Sequence, residues 1–319
     1  MKYIKIGDKQ VSRVGLGSVN FGGTCPEAQA HEFLSAFYEK GGNFIDTARV
    51  YGDFKASNNG VSEKVIGSWL SKNHIRDNIF LSTKGAHPAL GDMAHPRLSH
   101  DEILGDMCFS LEDLQTDCVD IYWLHRDNAL LPVGGIMETL TELTEKGYTK
   151  YVGASNWSAE RIEEANEYAI KHSLTPFYAN QPQFSLAIQF GSDDKTLVTC
   201  DDKTIALHDK TNMLMTPFSS QAKGYFGKLD ALGEAGLSDK IKRRFHFKEN
   251  IEIYERLKKL SLELDRSVTA LALNWLMSQP FPLIPLTSIS NIGQLEDIVL
   301  AGDTFITSEQ RDYIRNIRG

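Results

Sequence analysis

Four ionisable residues stand where short apolar runs end. Asp46 closes "NFID", Tyr51 follows in "TARVYGD", Lys84 closes "IFLSTK" and His125 closes "VDIYWLH". Any one of them alone has an ordinary structural use: a capping Asp, a packed Tyr, a snorkelling Lys, a His in a polar corner. Together they describe a chemistry. A phenol with an ordinary pKa of about 10 releases its proton reluctantly at neutral pH, and a neighbouring ammonium is expected to lower that value. Lys84 supplies the ammonium, Asp46 holds and neutralises it, and His125 hydrogen-bonds a carbonyl oxygen that turns into an alkoxide. This is a proton-donating oxyanion site without a nucleophile. It needs a hydride, which points to a nicotinamide cofactor.

Such a site requires the runs to be neighbouring strands. Eight runs read as strands: "VGLG" at 14, "NFID" at 43, "IFLST" at 79, "VDIYWL" at 119, "YVGAS" at 151, "FYANQ" at 177, "MLMTPF" at 213 and "PLIPLT" at 282. Between them lie amphipathic stretches with apolar spacing near 3.6, such as "AQAHEFLSAFYEKGG" and "SAERIEEANEYAIKH", which read as helices. "YIKIG" and "QVSRV" around Gly7-Asp8 read as an N-terminal hairpin. The alternation predicts a (β/α)8 TIM barrel, residues 1–319 forming one domain, with functional groups at the C-terminal strand ends. The long stretches 185–204 and 219–240 both follow strands and are expected to build the site. An open doubly wound sheet is the alternative, but "GLGSVNFG" has Asn20 where its third phosphate-binding glycine belongs.

Composition narrows the function further. The chain has 319 residues, 41% hydrophobic and 24% charged, with a net charge of -8. It lacks the dense basic stripe a nucleic-acid partner requires, and "KIKRRF" (240–245) reads as a turn or helix end. Cys25, Cys108, Cys118 and Cys200 form no CxxC pair, and His87 and His95 have no supporting ligand pattern, so no metal is expected. The alternating N-terminus is no signal sequence, and no run of about 18 apolar residues suggests a membrane span. A cytoplasmic protein is expected, as monomer or homo-oligomer.

The segments "NFIDTARVYGD", "IFLSTKG", "SLEDLQTDCVDIYWLHRD", "YVGASNWS" and "PLIPLTSISNIGQLED" occur in the order and spacing of one family. The sequence resembles the aldo-keto reductases along essentially its whole length. The resemblance implies a (β/α)8 barrel that reduces aldehydes or ketones with an extended nicotinamide cofactor, usually NADPH. It implies Tyr51 as general acid, Lys84 and Asp46 as its tuning pair, and His125 as the group orienting the carbonyl. It further implies that Ser155, Asn156 and Gln181 hold the nicotinamide carboxamide, that Phe218 stacks on the ring, and that "SSQAKG" (219–224), with Ser219, Gln221 and Lys223, wraps the pyrophosphate. Asn156 can also cap the helix after it.

The departure lies at the adenosine end. Many members carry there a Lys or Arg that pairs with the 2′-phosphate, a bond worth about 1.5–3 kcal/mol. Residues 286–297 contain neither; Thr287, Ser288 and Gln294 offer hydrogen bonds without opposing charge. NADP(H) is the family default, while NAD(H) or dual use stays open. Asn20, Phe21, Trp157 and the loop 87–98 follow strands and are candidates to line a pocket for a small-molecule carbonyl or sugar-like substrate. A nicotinamide-binding regulatory subunit, as in the potassium-channel beta subunits, is the alternative function on the same barrel.

Overall fold

The computed structural model describes residues 1–52, 60–191 and 194–315. Strands β1 (Tyr3–Ile6) and β2 (Lys9–Ser12) form the antiparallel hairpin, with Gly7 at φ +58°, a left-handed turn position suited to glycine. Among the described residues, eight parallel strands follow: β3 (Gly15–Gly17), β4 (Phe44–Asp46), β5 (Phe80–Gly85), β6 (Val119–Leu124), β7 (Thr149–Ser155), β8 (Ala179–Gln181), β9 (Leu214–Met215) and β10 (Leu286–Thr287). Their order is β10-β3-β4-β5-β6-β7-β8-β9. A parallel bridge from Met215 to Leu283 joins the two ends, with Met215 N–H donating to Pro282 O and Ile284 N–H to Met215 O, both at 2.9 Å. The architecture is the expected (β/α)8 barrel with an N-terminal hairpin.

Every predicted run holds a strand, but "MLMTPF" and "PLIPLT" narrow to two residues each. Pro217, Pro282 and Pro285 have no N–H for the ladder; their carbonyls still accept, Pro217 from Leu286 and Pro285 from Gly15, both at 3.0 Å.

The helices are α1 (Glu27–Glu39), α2 (Val61–Asn73), α3 (His100–Leu114), α4 (Val133–Glu145), α5 (Ala159–Lys171), α6 (Asp202–Thr211), α7 (Tyr225–Leu232), α8 (Asp239–Phe245), α9 (Lys248–Leu264), α10 (Val268–Met277), α11 (Gln294–Asp303) and α12 (Ser308–Arg315). Asp201, Ser238 and Ser267 cap α6, α8 and α10 through their side chains, and Ser99 with Glu102 forms a capping box on α3. Helix α5 is capped by Ser158, whose Oγ accepts from Arg161 N–H, and not by Asn156. The stretch 219–240 is partly helical: Tyr225, Phe226 and Leu229 of α7 are buried, at a helical spacing hidden among polar neighbours. "KIKRRF" lies within α8, with Ile241 and Phe245 turned inward. Among the described residues no helix is long and apolar enough to cross a membrane.

Strand side chains point alternately into the barrel and out to the helices. Phe44, Phe80, Ile121, Trp123, Ala179 and Leu214 fill the interior together with Ile6 and Val11 of the hairpin, whereas Ile45, Leu81, Tyr122, Leu124 and Val152 pack outward. The next inward position up each strand is therefore one residue beyond its neighbour. From Phe44 it is Asp46, from Ser82 it is Lys84, from Trp123 it is His125, from Gly153 it is Ser155 and from Ala179 it is Gln181. A polar layer thus sits directly on the apolar one. Gly153 pairs with Trp123 across β6 and β7, and a Cβ there would lie 2.4 Å from the indole and 3.0 Å from Ala179 O.

The interior has no room for that methyl group. Gly153→Ala is expected to destabilise the fold by about 1–3 kcal/mol through overpacking. Urea unfolding should show a lower midpoint at unchanged slope, and an unchanged midpoint would contradict this packing.

Candidate active site

Asp46 and Lys84 are both buried and form a salt bridge at the barrel mouth. Ser82 Oγ donates to Asp46 Oδ1 at 2.7 Å and Gln181 Nε2 donates to the same oxygen at 3.1 Å. Lys84 Nζ also donates to Thr47 O at 2.8 Å. Burial alone would lower the Lys84 pKa, but the charges and hydrogen bonds of Asp46 and Tyr51 outweigh it and the net direction is upward. Lys84 is an ammonium throughout the neutral range.

Tyr51 lies half-buried beside this pair, its ring centroid 4.8 Å from Lys84 Nζ and 5.8 Å from the His125 ring. Here the structure corrects an expectation. Burial, with Asp46 adding to it, raises the Tyr51 pKa; Lys84 and then Arg126 oppose that rise without reversing it. Tyr51 accordingly keeps its proton at neutral pH. His125 is pushed well below an ordinary histidine by burial first, then by Arg126, His87 and Lys84, so its ring is neutral. Among the described residues its Nδ1 has no hydrogen-bond partner.

Two neighbours were not anticipated. His87, read as an ordinary loop histidine, is buried with its ring 4.7 Å from His125 and its Nδ1 on Pro88 O at 2.7 Å. Arg126 is buried and reaches Asp194 and Thr196 in the long stretch after β8. Neither announces itself in sequence, because only the folded mouth brings 87, 126 and 194 together. His95 instead pairs with Asp92 on the exposed part of its loop, and among the described residues no cluster of three or more ligands for a metal forms.

A cavity of about 630 Å³ opens beside the tetrad. Its walls include Asp46, Tyr51, Asn20, Phe218, Ser219, Gln221, Lys223, Lys228, Ser288, Ser290, Gln294 and Asp297, with Ser288 N–H donating to Gln221 Oε1 at 3.3 Å and Lys228 Nζ to Lys223 O at 2.9 Å. Ser219, Ala222 and Lys223 all have φ between +48° and +58°, strain of the kind that collects at ligand sites. Gln181 keeps a buried Oε1 without a partner among the described residues. An orphaned acceptor one hydrogen bond behind Asp46 of the cavity wall suits a carboxamide N–H donor, and the residues present fit a nicotinamide cofactor.

Other expected residues are already engaged. Ser155 Oγ donates to Gln181 O at 2.9 Å. Asn156, at φ +61°, donates to His125 O at 3.1 Å and to Ser155 Oγ at 3.2 Å, and accepts from Val198 N–H at 3.1 Å. Thr287 Oγ1 is spent on Gly15 O at 2.9 Å. Phe21 and Trp157 lie outside the cavity wall. Phe21 is buried in the outer core, and the Trp157 indole donates to Arg126 O at 3.2 Å while its ring packs edge-on against Phe177. Large apolar side chains after a strand pack under the loops more readily than they face a wet cavity.

The fold and the polar layer at its mouth are those of a barrel oxidoreductase. The family model described as the aldo/keto reductase family matches residues 13–318, and the chain belongs to that family. It is similar to the aldo-keto reductase YhdN of Bacillus subtilis, 28% identical over 98% of this chain and 92% of that protein. It is also similar to the norsolorinic acid reductase of Aspergillus flavus, 25% identical over 94% of this chain and 76% of that protein. A crystal structure of the thermostable aldo-keto reductase Tm1743 with the inhibitor epalrestat shares the fold, with a TM-score of 0.73 and 20% identity, covering 99% of this chain and all of that one. The protein is an NAD(P)-dependent oxidoreductase.

The buried histidines set an acid limit. His87 and His208 are lowered from 6.5 to about 4, both by burial first, and His125 lies well below its ordinary value. Between those values the unfolded chain binds protons that the folded chain refuses, so stability is full above the ordinary pKa and falls as the pH drops toward the folded one. Urea unfolding is expected to show declining stability from about pH 6.5 to pH 5. His208→Gln, remote from the cavity, should flatten the decline; an undiminished slope would count against this origin.

Proposed function

We propose that the enzyme reduces an aldehyde or ketone, with Tyr51 giving its proton to the carbonyl oxygen and His125 orienting that oxygen. The observation that carries this reading is the Lys84 ammonium held between Asp46 and Tyr51, both of which line the cavity. A neutral imidazole can hydrogen-bond a carbonyl but gives up a proton far less readily than an imidazolium, so the acid is the phenol. As negative charge grows on the oxygen, Lys84 stabilises the phenolate that Tyr51 leaves behind. A bound nicotinamide supplies the hydride. Gln181, Phe218 and the strained segment 219–224 would hold it, the last with backbone N–H groups suited to an anion. The same groups serve alcohol oxidation by microscopic reversibility.

Removing only the phenolic hydroxyl separates chemistry from binding. Tyr51→Phe is expected to bind cofactor as the native enzyme does and to lose about 10²–10⁴-fold in kcat across a panel of aldehydes, ketones and aldoses. Native turnover in that variant would defeat the assignment.

The adenosine end supports dual cofactor use. Lys228, in the same cavity wall, would attract a 2′-phosphate, while the half-buried Asp297 would oppose it. Asp297→Asn is expected to tighten NADPH relative to NADH by about two- to fivefold, the scale of a partly exposed charge pair. Fluorescence titration with both cofactors reads this ratio, and no change would place the phosphate elsewhere.

A further inference from the structure

Arg126 follows His125 directly and is only 8% exposed. Its Nη1 turns back to donate to His125 O at 2.8 Å, which keeps the guanidinium at the barrel mouth. Nε donates to Thr196 Oγ1 at 2.9 Å, and Nη2 meets Asp194 Oδ2 at 3.3 Å. Three of the five guanidinium N–H groups are thus used among the described residues, leaving one on each Nη.

Among the described residues the neutralisation of this buried cation is weak. Asp194 is 39% exposed and its contact with Arg126 is long, well beyond the ordinary charge-assisted distance of about 2.7–2.9 Å. Its other oxygen is taken by Thr196, through N–H at 2.8 Å and Oγ1 at 2.6 Å. The nearby rings of His87 and His125 carry no charge to compete for an anion, and Lys84 is already matched by Asp46. Tyr51 and His125 both feel the Arg126 charge, which puts the guanidinium within electrostatic reach of the reacting groups.

We infer that Arg126 is a specificity-determining residue for carbonyl substrates that carry a carboxylate, with Asp194 occupying its place until such a substrate arrives. A carboxylate is planar and bidentate, and its two oxygens match one N–H on each Nη. Its single negative charge matches a single buried cation, which a dianionic phosphate would overmatch. The half-exposed Asp194 side chain can return to solvent at small cost, whereas the buried guanidinium cannot.

The inference rests on the carbonyl-reductase reading for its turnover measurement and is independent of it for its binding measurement. Two substrate pairs of different reach are compared, 4-carboxybenzaldehyde with methyl 4-formylbenzoate, and succinic semialdehyde with its methyl ester. The carboxylate of at least one pair is expected to show a KM about tenfold below its ester, the scale of one charge-assisted pair. In Arg126→Gln that ratio should collapse toward one, whatever happens to turnover. In Asp194→Asn it should widen, because the internal competitor has lost its charge; this variant decides the matter if Arg126→Gln does not fold. Equal KM values within both pairs, a ratio unchanged in Arg126→Gln, or a ratio that narrows in Asp194→Asn would overturn the proposal. Calorimetric titration with benzoate and benzamide repeats the comparison without turnover, and equal affinities would also overturn it. Tighter benzoate binding with no aldehyde reduced would keep the subsite and remove the reductase reading.

Discussion

The structure turns on one buried ion pair. Asp46 and Lys84 face each other inside the barrel, where two charges out of water cost more than their attraction returns unless the remaining hydrogen-bonding capacity is met. Here it is met from several elements: Ser82 and Gln181 donate to the carboxylate, and Thr47 O accepts from the ammonium. Gln181 comes from the far side of the barrel. The pair can be satisfied only when the strand ring has formed, so the electrostatics of the site and the closure of the fold depend on each other.

The same strand leads into the loop that carries Tyr51, the proposed acid. Arg49 N–H donates to Lys84 O at 3.0 Å and Thr47 N–H to Ser82 O at 2.9 Å, which extends backbone pairing past the end of β4 toward Tyr51. The Arg49 guanidinium is anchored by Glu63 at 2.6 Å and Asp113 at 2.5 Å, and Tyr51 O accepts from Ser62 N–H at 3.2 Å. The loop bearing the phenol is therefore fixed to α2 and α3 as well as to β5. Positioning of this kind spares the reaction the entropy of finding its geometry.

A second set of bonds ties the motifs after β6 and β7 together. Asn156 donates to His125 O and Trp157 to Arg126 O, so the "HRD" and "SNW" segments brace each other. The stretch after β8 then closes over them, Val198 N–H on Asn156 and Asp194 on Arg126. Residues that look in sequence like a row of ligand contacts are partly structural ties between loops. This explains why Ser155 and Asn156 are engaged while Gln181 keeps an acceptor without a partner among the described residues.

Much of this was legible in the chain. Apolar runs bounded by turn residues located the strands, because a parallel strand buried on both faces must be nearly continuous in apolar residues. The polar residue ending each run identified Asp46, Lys84 and His125, because the inward-facing position above a packed layer must either fill the core or do something else. Other features belonged to tertiary structure alone. The direction of the Tyr51 pKa depends on how far burial outweighs Lys84, which no spacing reveals. Phe21 and Trp157 turned to the core, and His87, Arg126 and Asp194 met at the mouth, because loop side chains are placed by the contacts of distant segments. The sequence determined which residues stand on the inner face of the barrel, through a period of two; the tertiary structure decided their charge states and partners, since those follow from burial and from neighbours far apart in the chain.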